Sequence, residues 1–415
     1  MIITIILFDI QGNKMKAIFM GMGYIGLPTA AVVASKGIQV IGVDVNPEVV
    51  KTINQGNIHI LEPELDGLVK GVVGNGNLRA SLTPETADAF FIVVPTPFKY
   101  NHRADISFVE SATRMVIPFL RKGNLFIIES TSPVMTTEKM ANFIFKERPE
   151  LENNLYVAYC PERVLPGNVL YELEHNDRVI GGLNPESADK AAEFYVCFVK
   201  GTMHKTNART AEMCKLVENS SRDAQIAFSN ELSMICENAG VDVWDLIGLA
   251  NKHPRVNILQ PGCGVGGHCI AVDPWFIVSD FPEQARIIKR ARETNDYKAD
   301  WCTNRILIAC EDFASKTGKE PVVACMGLAF KPDIDDLRES PAKYITSRVI
   351  SEARADVLVV EPNIKEHKTF SMVTLQEAYQ KADIVAWLVR HKEFVSMPAD
   401  AAKVELDFCG VRKVM

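Results

Sequence analysis

Lys16-Ala17-Ile18-Phe19-Met20-Gly21-Met22-Gly23-Tyr24-Ile25-Gly26 is the stretch that decides the fold. An apolar run leads into three glycines in the order Gly-x-Gly-x-x-Gly, and small residues follow through residue 36. A second apolar run, residues 39–43, ends in Asp44. The order is strand, glycine turn, helix, strand, acid. Gly21 permits the tight turn, Gly23 admits a pyrophosphate to the backbone, and Gly26 lets the helix lie close on the strand. The helix N-terminus turns N–H groups and a positive dipole end toward phosphates. Asp44 stands 21 residues past Gly23 (44 − 23) and is placed to accept from ribose hydroxyls. Val45-Asn46-Pro47 follows, without an Arg, which favours NAD over NADP. A bare Gly-x-Gly-x-x-Gly also occurs as a plain tight turn; the flanking strands, helix and acid select the dinucleotide reading.

The alternation continues. Runs at residues 90–94, 125–128 and 155–159 read as strands, followed by Pro95-Thr96-Pro97, Glu129-Ser130-Thr131 and Cys160-Pro161-Glu162-Arg163. Open parallel sheets bind ligands beyond the carboxyl ends of their strands. Thr96, Thr131 and Glu162 fall at such ends, where Thr and Ser equally serve to cap the next helix. A strand at 179–182 and a helix at 185–199 complete this domain.

The pattern then changes. Residues 208–238 contain no Gly or Pro, and Gly240 follows as a stop, so one long helix is expected. Lys215, Asn219 and Arg222 share a face of it at i, i+4 and i+7. A solvated polar stripe and a ligand-facing row both fit that spacing. Strands at 322–326, 357–360 and 384–388 alternate with helical stretches again. The charged loop between the first two contains Lys331 and Arg338, suited to a phosphate or carboxylate, or simply to water. The fold class is α/β: an N-terminal Rossmann domain, a central long-helix region, and a smaller Rossmann-like domain. The expected division is residues 1–14 as an extension, then 15–205, 206–310 and 311–415.

Composition sets the outer bounds. A chain of 415 residues is too long for one core. Its 47% hydrophobic and 23% charged residues are those of an ordinary soluble protein. A net charge of −7 argues against a nucleic-acid partner. No stretch reads as transmembrane; the apolar start at residues 1–8 is too short and lacks a basic flank. Residues 1–14 are read as an upstream extension, or else as an extra edge strand. The 10 Cys are scattered without metal-ligand spacing, so the expectation is a cytoplasmic chain with reduced thiols and no metal site.

The second decisive stretch is Gly262-Cys263-Gly264-Val265-Gly266-Gly267-His268-Cys269-Ile270-Ala271-Val272-Asp273-Pro274-Trp275. A glycine-dense loop brings backbone close to a ligand. Cys269, at its edge, is placed to attack a bound carbonyl. A nucleotide cofactor together with a placed thiol points to an oxidation that passes through a thioester. His268 adjoins Cys269, but chain neighbours point apart. His253, before Pro254, also suits a plain loop position. Cys160 and Cys214 read as packing thiols.

Together these residues resemble the nucleotide-sugar 6-dehydrogenases, the family that includes UDP-glucose dehydrogenase. The resemblance runs from Met15 to the end. It rests on the Gly-x-Gly-Tyr-x-Gly start, Ser130-Thr131, Pro161-Glu162, the Lys215…Asn219 helix, the Cys269 loop ending in Asp273, and Phe330-Lys331…Asp336-Leu337-Arg338-Glu339-Ser340. Four stretches narrow it to the branch acting on UDP-N-acetyl-D-mannosamine. They are Val94-Pro95-Thr96-Pro97-Phe98-Lys99, Glu162-Arg163-Val164-Leu165-Pro166-Gly167, residues 207–215, and residues 253–262, which run into the Cys269 loop. The family usually has Pro where this chain has Cys263, and a second thiol there raises the prospect of oxidation.

The resemblance implies a four-electron, NAD-dependent oxidation at C6 of the sugar through a Cys269 thiohemiacetal and thioester, and a product used for bacterial surface polysaccharide. By the same resemblance Lys215 is the acid/base or oxyanion-stabilising group, with Asn219 beside it. Asp273 orients the hydrolytic water and Glu162 assists with protons. Arg163, Val164, Lys215, Asn219, Arg222, His253, Arg255, Gly266, Phe330 and Lys331 bind the UDP-sugar, Arg255 from the partner subunit of a homodimer. Gly21, Gly23, Tyr24, Ile25, Gly26, Asp44, Thr96, Thr131 and Arg338 contact NAD. The alternatives are a UDP-glucose dehydrogenase and, from another class, a two-electron NAD reductase or a non-catalytic NAD-binding module. Neither of the last two needs the thiol.

Overall fold

A computed structural model describes residues 15–60, 62–99, 102–164 and 167–413; the expected N-terminal extension lies outside them. The chain forms two compact units, one reaching Val217 and the other starting at Glu218.

The first unit is built on an eight-stranded sheet: β1 (Lys16–Met20), β2 (Gln39–Val43), β3 (Leu78–Ser81), β4 (Ala89–Ile92), β5 (Leu125–Ile128), β6 (Tyr156–Tyr159), β7 (Arg178–Gly182) and β8 (Met203–Asn207). Their order is β3-β2-β1-β4-β5-β6-β7-β8. Each central strand is apolar on both faces, as a helix-covered parallel sheet requires. Ala17, Phe19, Phe91 and Ile127 enter one core, while Ile18, Met20, Phe90, Phe126 and Ile128 enter the other. Phe19 and Phe91 stack at 4.4 Å across neighbouring strands, a pair worth about 0.5–1.5 kcal/mol beyond its burial.

The register aligns the strand ends. Met20 pairs with Ile92, Ile92 with Ile128, and Ile128 with Tyr159. The residues that follow therefore share one edge of the sheet: Gly21, the 93–97 turn, Glu129 to Thr131, and Cys160 to Glu162. β7 runs antiparallel to β6, with Tyr159 opposite Gly181. This reversal, not anticipated from the sequence, starts β7 at the carboxyl edge and sets Arg178 beside Glu162. The helix expected at 185–199 ends at Tyr195.

Helix α1 (Gly26–Ser35) packs its small residues Ala30, Ala31 and Ala34 fully out of water. Helix α2 (Thr136–Glu147) has no side-chain cap of its own. The long helix is present as α3 (Ala208–Ala239). It stops at Gly240, in the left-handed region at φ +67°, with Val241 N bonded to Cys236 O at 2.8 Å; this is the glycine C-terminal motif.

The second unit holds the rest of α3, α4 (Val243–Ala250), α5 (Asp273–Asp280), the long α6 (Arg286–Thr317) and α7 (Pro341–Glu352). Its sheet is parallel, in the order β10-β9-β11-β12, formed by β9 (Val322–Met326), β10 (Asp356–Val360), β11 (Ile384–Trp387) and β12 (Val404–Asp407). The two sheets repeat one turn. Gly21 N donates to Val43 O and Gly327 N to Val360 O, both at 2.8 Å, with φ at +98° and +102°. Each glycine takes a conformation that costs other residues strain. Among the described residues no helix is long and apolar enough to cross a membrane.

Candidate active site

In the first unit the glycine turn is shaped for a ligand. A Cβ on Gly21 would meet Val93 O at 2.5 Å, and one on Gly26 would meet Gly21 O at 1.9 Å. A Cβ on Gly23 would enter open space, on an exposed residue. The first and third glycines are thus required by packing, and the second leaves room for an incoming phosphate. Asp44 is half-buried; Oδ2 accepts from Met22 N at 3.0 Å and Oδ1 from Asn46 N at 2.9 Å. The residues fit NAD: the N-terminus of α1, which carries no side-chain cap, an exposed Tyr24, and a carboxylate at the end of β2.

Thr96 and Thr131 adjoin. Thr96 Oγ1 donates to Thr131 O at 2.6 Å, and Ser130 Oγ donates to Val94 O at 2.8 Å, lacing two strand-end loops together. Glu162 is buried against Arg178, Oε2 to Nη1 at 2.8 Å, and its Oε1 accepts from Arg163 N at 2.7 Å. Arg163 reaches Asp177 O at 3.3 Å, and Val164 packs against the core. Lys215 is half-buried on α3. One turn before it, the buried Glu212 accepts from Met135 N, Thr137 N and Thr137 Oγ1 at 2.6–2.7 Å. The sequence did not single out Glu212. It supplies the missing cap of α2 from another helix and ties the Lys215 segment to the turn after Thr131.

In the second unit the thiol loop is clamped from both sides. Gly262 N donates to Asn230 Oδ1 on α3 at 2.8 Å. Cys263 is buried in the core with Cys302 and Cys325, its Sγ 3.3 Å from Leu388 O. Burial pushes its thiol well up, so the prospect of oxidation raised by its position in the sequence is corrected: Cys263 is a packing residue. Gly266 and Gly267 lie against Phe330 and Glu339, and Gly267 N donates to Arg338 O at 3.0 Å. The sequence-identified Phe330 and Arg338 thus hold the loop that carries Cys269. Cys269 itself is exposed. Its carbonyl accepts from Val272 N and Asp273 N at 3.0 and 2.8 Å, closing the turn into α5, whose N-terminus favours negative charge nearby.

Asp273 is buried and accepts from Asn219 Nδ2 at 2.5 Å, so these two predicted residues meet. Arg222, His253, Arg255 and Lys331 are exposed, with Arg255 N donating to His253 Nδ1 at 3.3 Å. Arg338 chelates Asp336 with Nε and Nη2 at 2.5–2.9 Å. Partial burial of the Asp336 carboxyl works against ionisation, but the hydrogen bonds from Arg338 hold it below the usual range. Cys160 is fully buried, as a packing thiol should be, whereas Cys214 is only half-buried on the flank of α3.

One His–carboxylate group among the described residues, Asp333, His391 and Glu393, brings potential ligand atoms within 4.8 Å. The Nδ1 of His391 already accepts from Asp333 N at 3.0 Å, and Nε2 meets Glu361 at 3.1 Å. The arrangement is a brace for the 328–333 turn.

The fold and site define the class. Residues 15–199, 209–297 and 324–411 match the NAD binding, central and UDP binding domains of the UDP-glucose/GDP-mannose dehydrogenase family, and the chain belongs to that family. Among its relatives, UDP-N-acetyl-D-mannosamine dehydrogenase of Campylobacter jejuni is 52% identical, covering 96% of this chain and all of that one. NDP-N-acetyl-D-galactosaminuronic acid dehydrogenase of Ralstonia nicotianae is also 52% identical, over 94% of this chain and 95% of its own. The solved UDP-D-ManNAc dehydrogenase of Pyrococcus horikoshii is 37% identical over 96% of both chains, with a TM-score of 0.87.

Proposed function

We propose that this chain oxidises UDP-N-acetyl-D-mannosamine at C6 to the uronate, with NAD as acceptor. The observation that carries the chemistry is Cys269: an exposed thiol at the head of a helix, on a loop held by glycines that tolerate no side chain. NAD, when bound, accepts a hydride in each of two oxidations. The first converts the primary alcohol to an aldehyde and releases a proton. Cys269 then adds through sulfur to the aldehyde carbon, giving a thiohemiacetal whose oxygen can drive out the second hydride. Loss of that hydride and a proton leaves a thioester, and water cleaves its C–S bond to give the carboxylate and regenerate the thiol.

In this reading Lys215 stabilises developing oxyanions, and Asn219 fixes the Asp273 carboxylate that orients water. Glu162 takes protons. Arg163, Val164, Arg222, His253, Arg255, Gly266, Phe330 and Lys331 bind the UDP-sugar. Tyr24, Ile25, Asp44, Thr96, Thr131 and Arg338 serve NAD. Phe228 and Ile235, seven apart on α3 and both about half exposed, support a homodimer packed along that helix. Ten cysteines, none of them in a disulfide among the described residues, suit a reducing cytoplasm.

The Ralstonia relative, at equal identity, keeps a second sugar in view, an N-acetylgalactosamine nucleotide. The test is NADH yield per sugar with purified protein. Two NADH per UDP-N-acetylmannosamine, little from UDP-N-acetylgalactosamine or UDP-glucose, and none from C269S support the proposal. Two from another sugar reassign the substrate, while an unaffected C269S overturns the thioester route.

A further inference from the structure

Glu162 sits in a cluster whose other members the reaction as described does not use. Glu129 follows β5, Glu162 follows β6, Arg178 opens β7 and Tyr195 ends the helix at 185–195. They are 3%, 9%, 2% and 0% exposed. Arg178 meets Glu162 at 2.8 Å, and its guanidinium lies 5.2 Å over the Tyr195 ring. Tyr195 OH donates to Glu129 Oε1 at 2.6 Å, while Glu129 Oε2 is buried without a hydrogen-bond partner. The ionisable groups facing Glu129 are Arg178, Glu162, Cys160 and Tyr195.

Charge balance decides what this cluster does. Burial pushes Cys160 up to about 12 and Tyr195 well above its ordinary value, so both stay neutral near pH 7. Arg178 stays charged. One buried cation then faces two carboxyls. Both ionised leaves the cluster at −1, both protonated at +1, and one proton makes it neutral, the state a low-dielectric site favours. Burial, reinforced by the charge of Glu162 and opposed by that of Arg178, raises Glu129 to about 7.

We propose that Glu129 is a positioning residue for the proton chemistry of Glu162: the two carboxyls share Arg178 and one proton. The inference rests on the reading of Glu162 as the group that takes protons. As Glu162 gains a proton from the substrate alcohol or from attacking water, Glu129 releases its own toward solvent and becomes the counter-anion of Arg178. Without Glu129, protonating Glu162 would leave Arg178 as a buried cation with no counter-anion.

The test is the pH dependence of kcat, at saturating substrates, for wild type, E129Q, E129D and E162Q. E129Q should move the acidic limb down by about one pH unit and lower the plateau, with NAD affinity unchanged; E129D should restore part of the shift. An unshifted limb in E129Q overturns the inference. If E162Q keeps the wild-type limb and rate, the reading of Glu162 itself fails, a separate result. Infrared difference spectra of the wild type need no variant to fold. A protonated-carboxyl band lost between about pH 6 and about pH 8.5 is expected, since that range brackets a carboxyl titrating near neutrality; no such band overturns the proposal.

Discussion

Replacing Gly266 with alanine tests whether the Cys269 loop is held as tightly as its contacts imply. The new methyl would meet Glu339 O at 2.5 Å, Phe330 Cβ at 2.7 Å and Pro341 Cδ at 2.9 Å. None of these can rotate away: one is backbone, one is a Cβ, and one is a ring atom at the first residue of α7. Overpacking of this kind costs about 1–3 kcal/mol. The strain falls on residues 262–272 and 328–341, the segments that carry Cys269, Phe330, Lys331 and Arg338. If the fold absorbs it, Tm falls by roughly 2–12 °C, at about 2–4 °C per kcal/mol for a unit of this size. If the loop absorbs it by shifting, kcat/KM for the UDP-sugar falls about 10–100-fold. NAD affinity should fall less than this rate, because of the residues assigned to NAD only Arg338 lies in the strained segments, the glycine turn being built from residues 21–44. Thermal unfolding and initial rates of NADH formation, on the same preparation, measure both. G266A with wild-type Tm and wild-type rates would refute the reasoning.

Other perturbations separate the remaining parts. Asp44→Ala removes the acceptor of Met22 N and the acid expected on the ribose, so NAD affinity should drop about tenfold while UDP-sugar affinity holds, as titration of each would show. Burial works against ionisation of Glu361, but hydrogen bonds from His391 and Leu328 N outweigh it and hold its carboxyl at about 2. A lowered carboxyl stabilises the fold above its unfolded value of 4.5, and that stability drains away as pH falls toward 2. It amounts to about 3 kcal/mol. Glu361→Gln should therefore flatten acid unfolding between about pH 4.5 and about pH 2, read by denaturant midpoints at each pH. Timed alkylation with mass spectrometry should label the exposed Cys269 well before Cys263, whose buried thiol forms little thiolate; equal labelling would show that the loop opens.

Much of this was legible because local patterns were strong. β1, β2, β5 and β9 begin and end where the sequence places them, since each is an apolar run closed by a turn residue. The stop at Gly240 follows from a glycine that alone reaches positive φ cheaply. The direction of β7 was not legible: Arg178-Val179-Ile180-Gly181-Gly182 is the same short run whichever way it points. That direction decides that Arg178 faces Glu162. Helix α6 also escaped notice. Its buried stripe includes Arg292, Asn295, Lys298 and Thr303, which read as surface residues until Asp223, Asn230 and Ser233 of α3 are seen to pair with the first three. Paired polar groups inside a core hide the periodicity that apolar ones reveal.

The two Rossmann-like halves show why the fold alone could not assign their roles. Both turn at a glycine bonded to the end of the second strand, and both follow that strand with an acid, Asp44 or Glu361. Asp44 is short and half-buried. It braces Met22 N and Asn46 N and remains partly open to the surface. Glu361 is one methylene longer and folds back onto its own turn. It accepts from Leu328 N and Ala329 N at 2.8 and 2.9 Å, and His391 closes over it at 3.1 Å. Its carboxylate is spent inside the protein, and the turn it stiffens leads into Phe330, the ring against which Gly266 and Gly267 pack. One architecture thus supplies a partly exposed acid in one half and, in the other, a strut beneath the loop that presents the thiol.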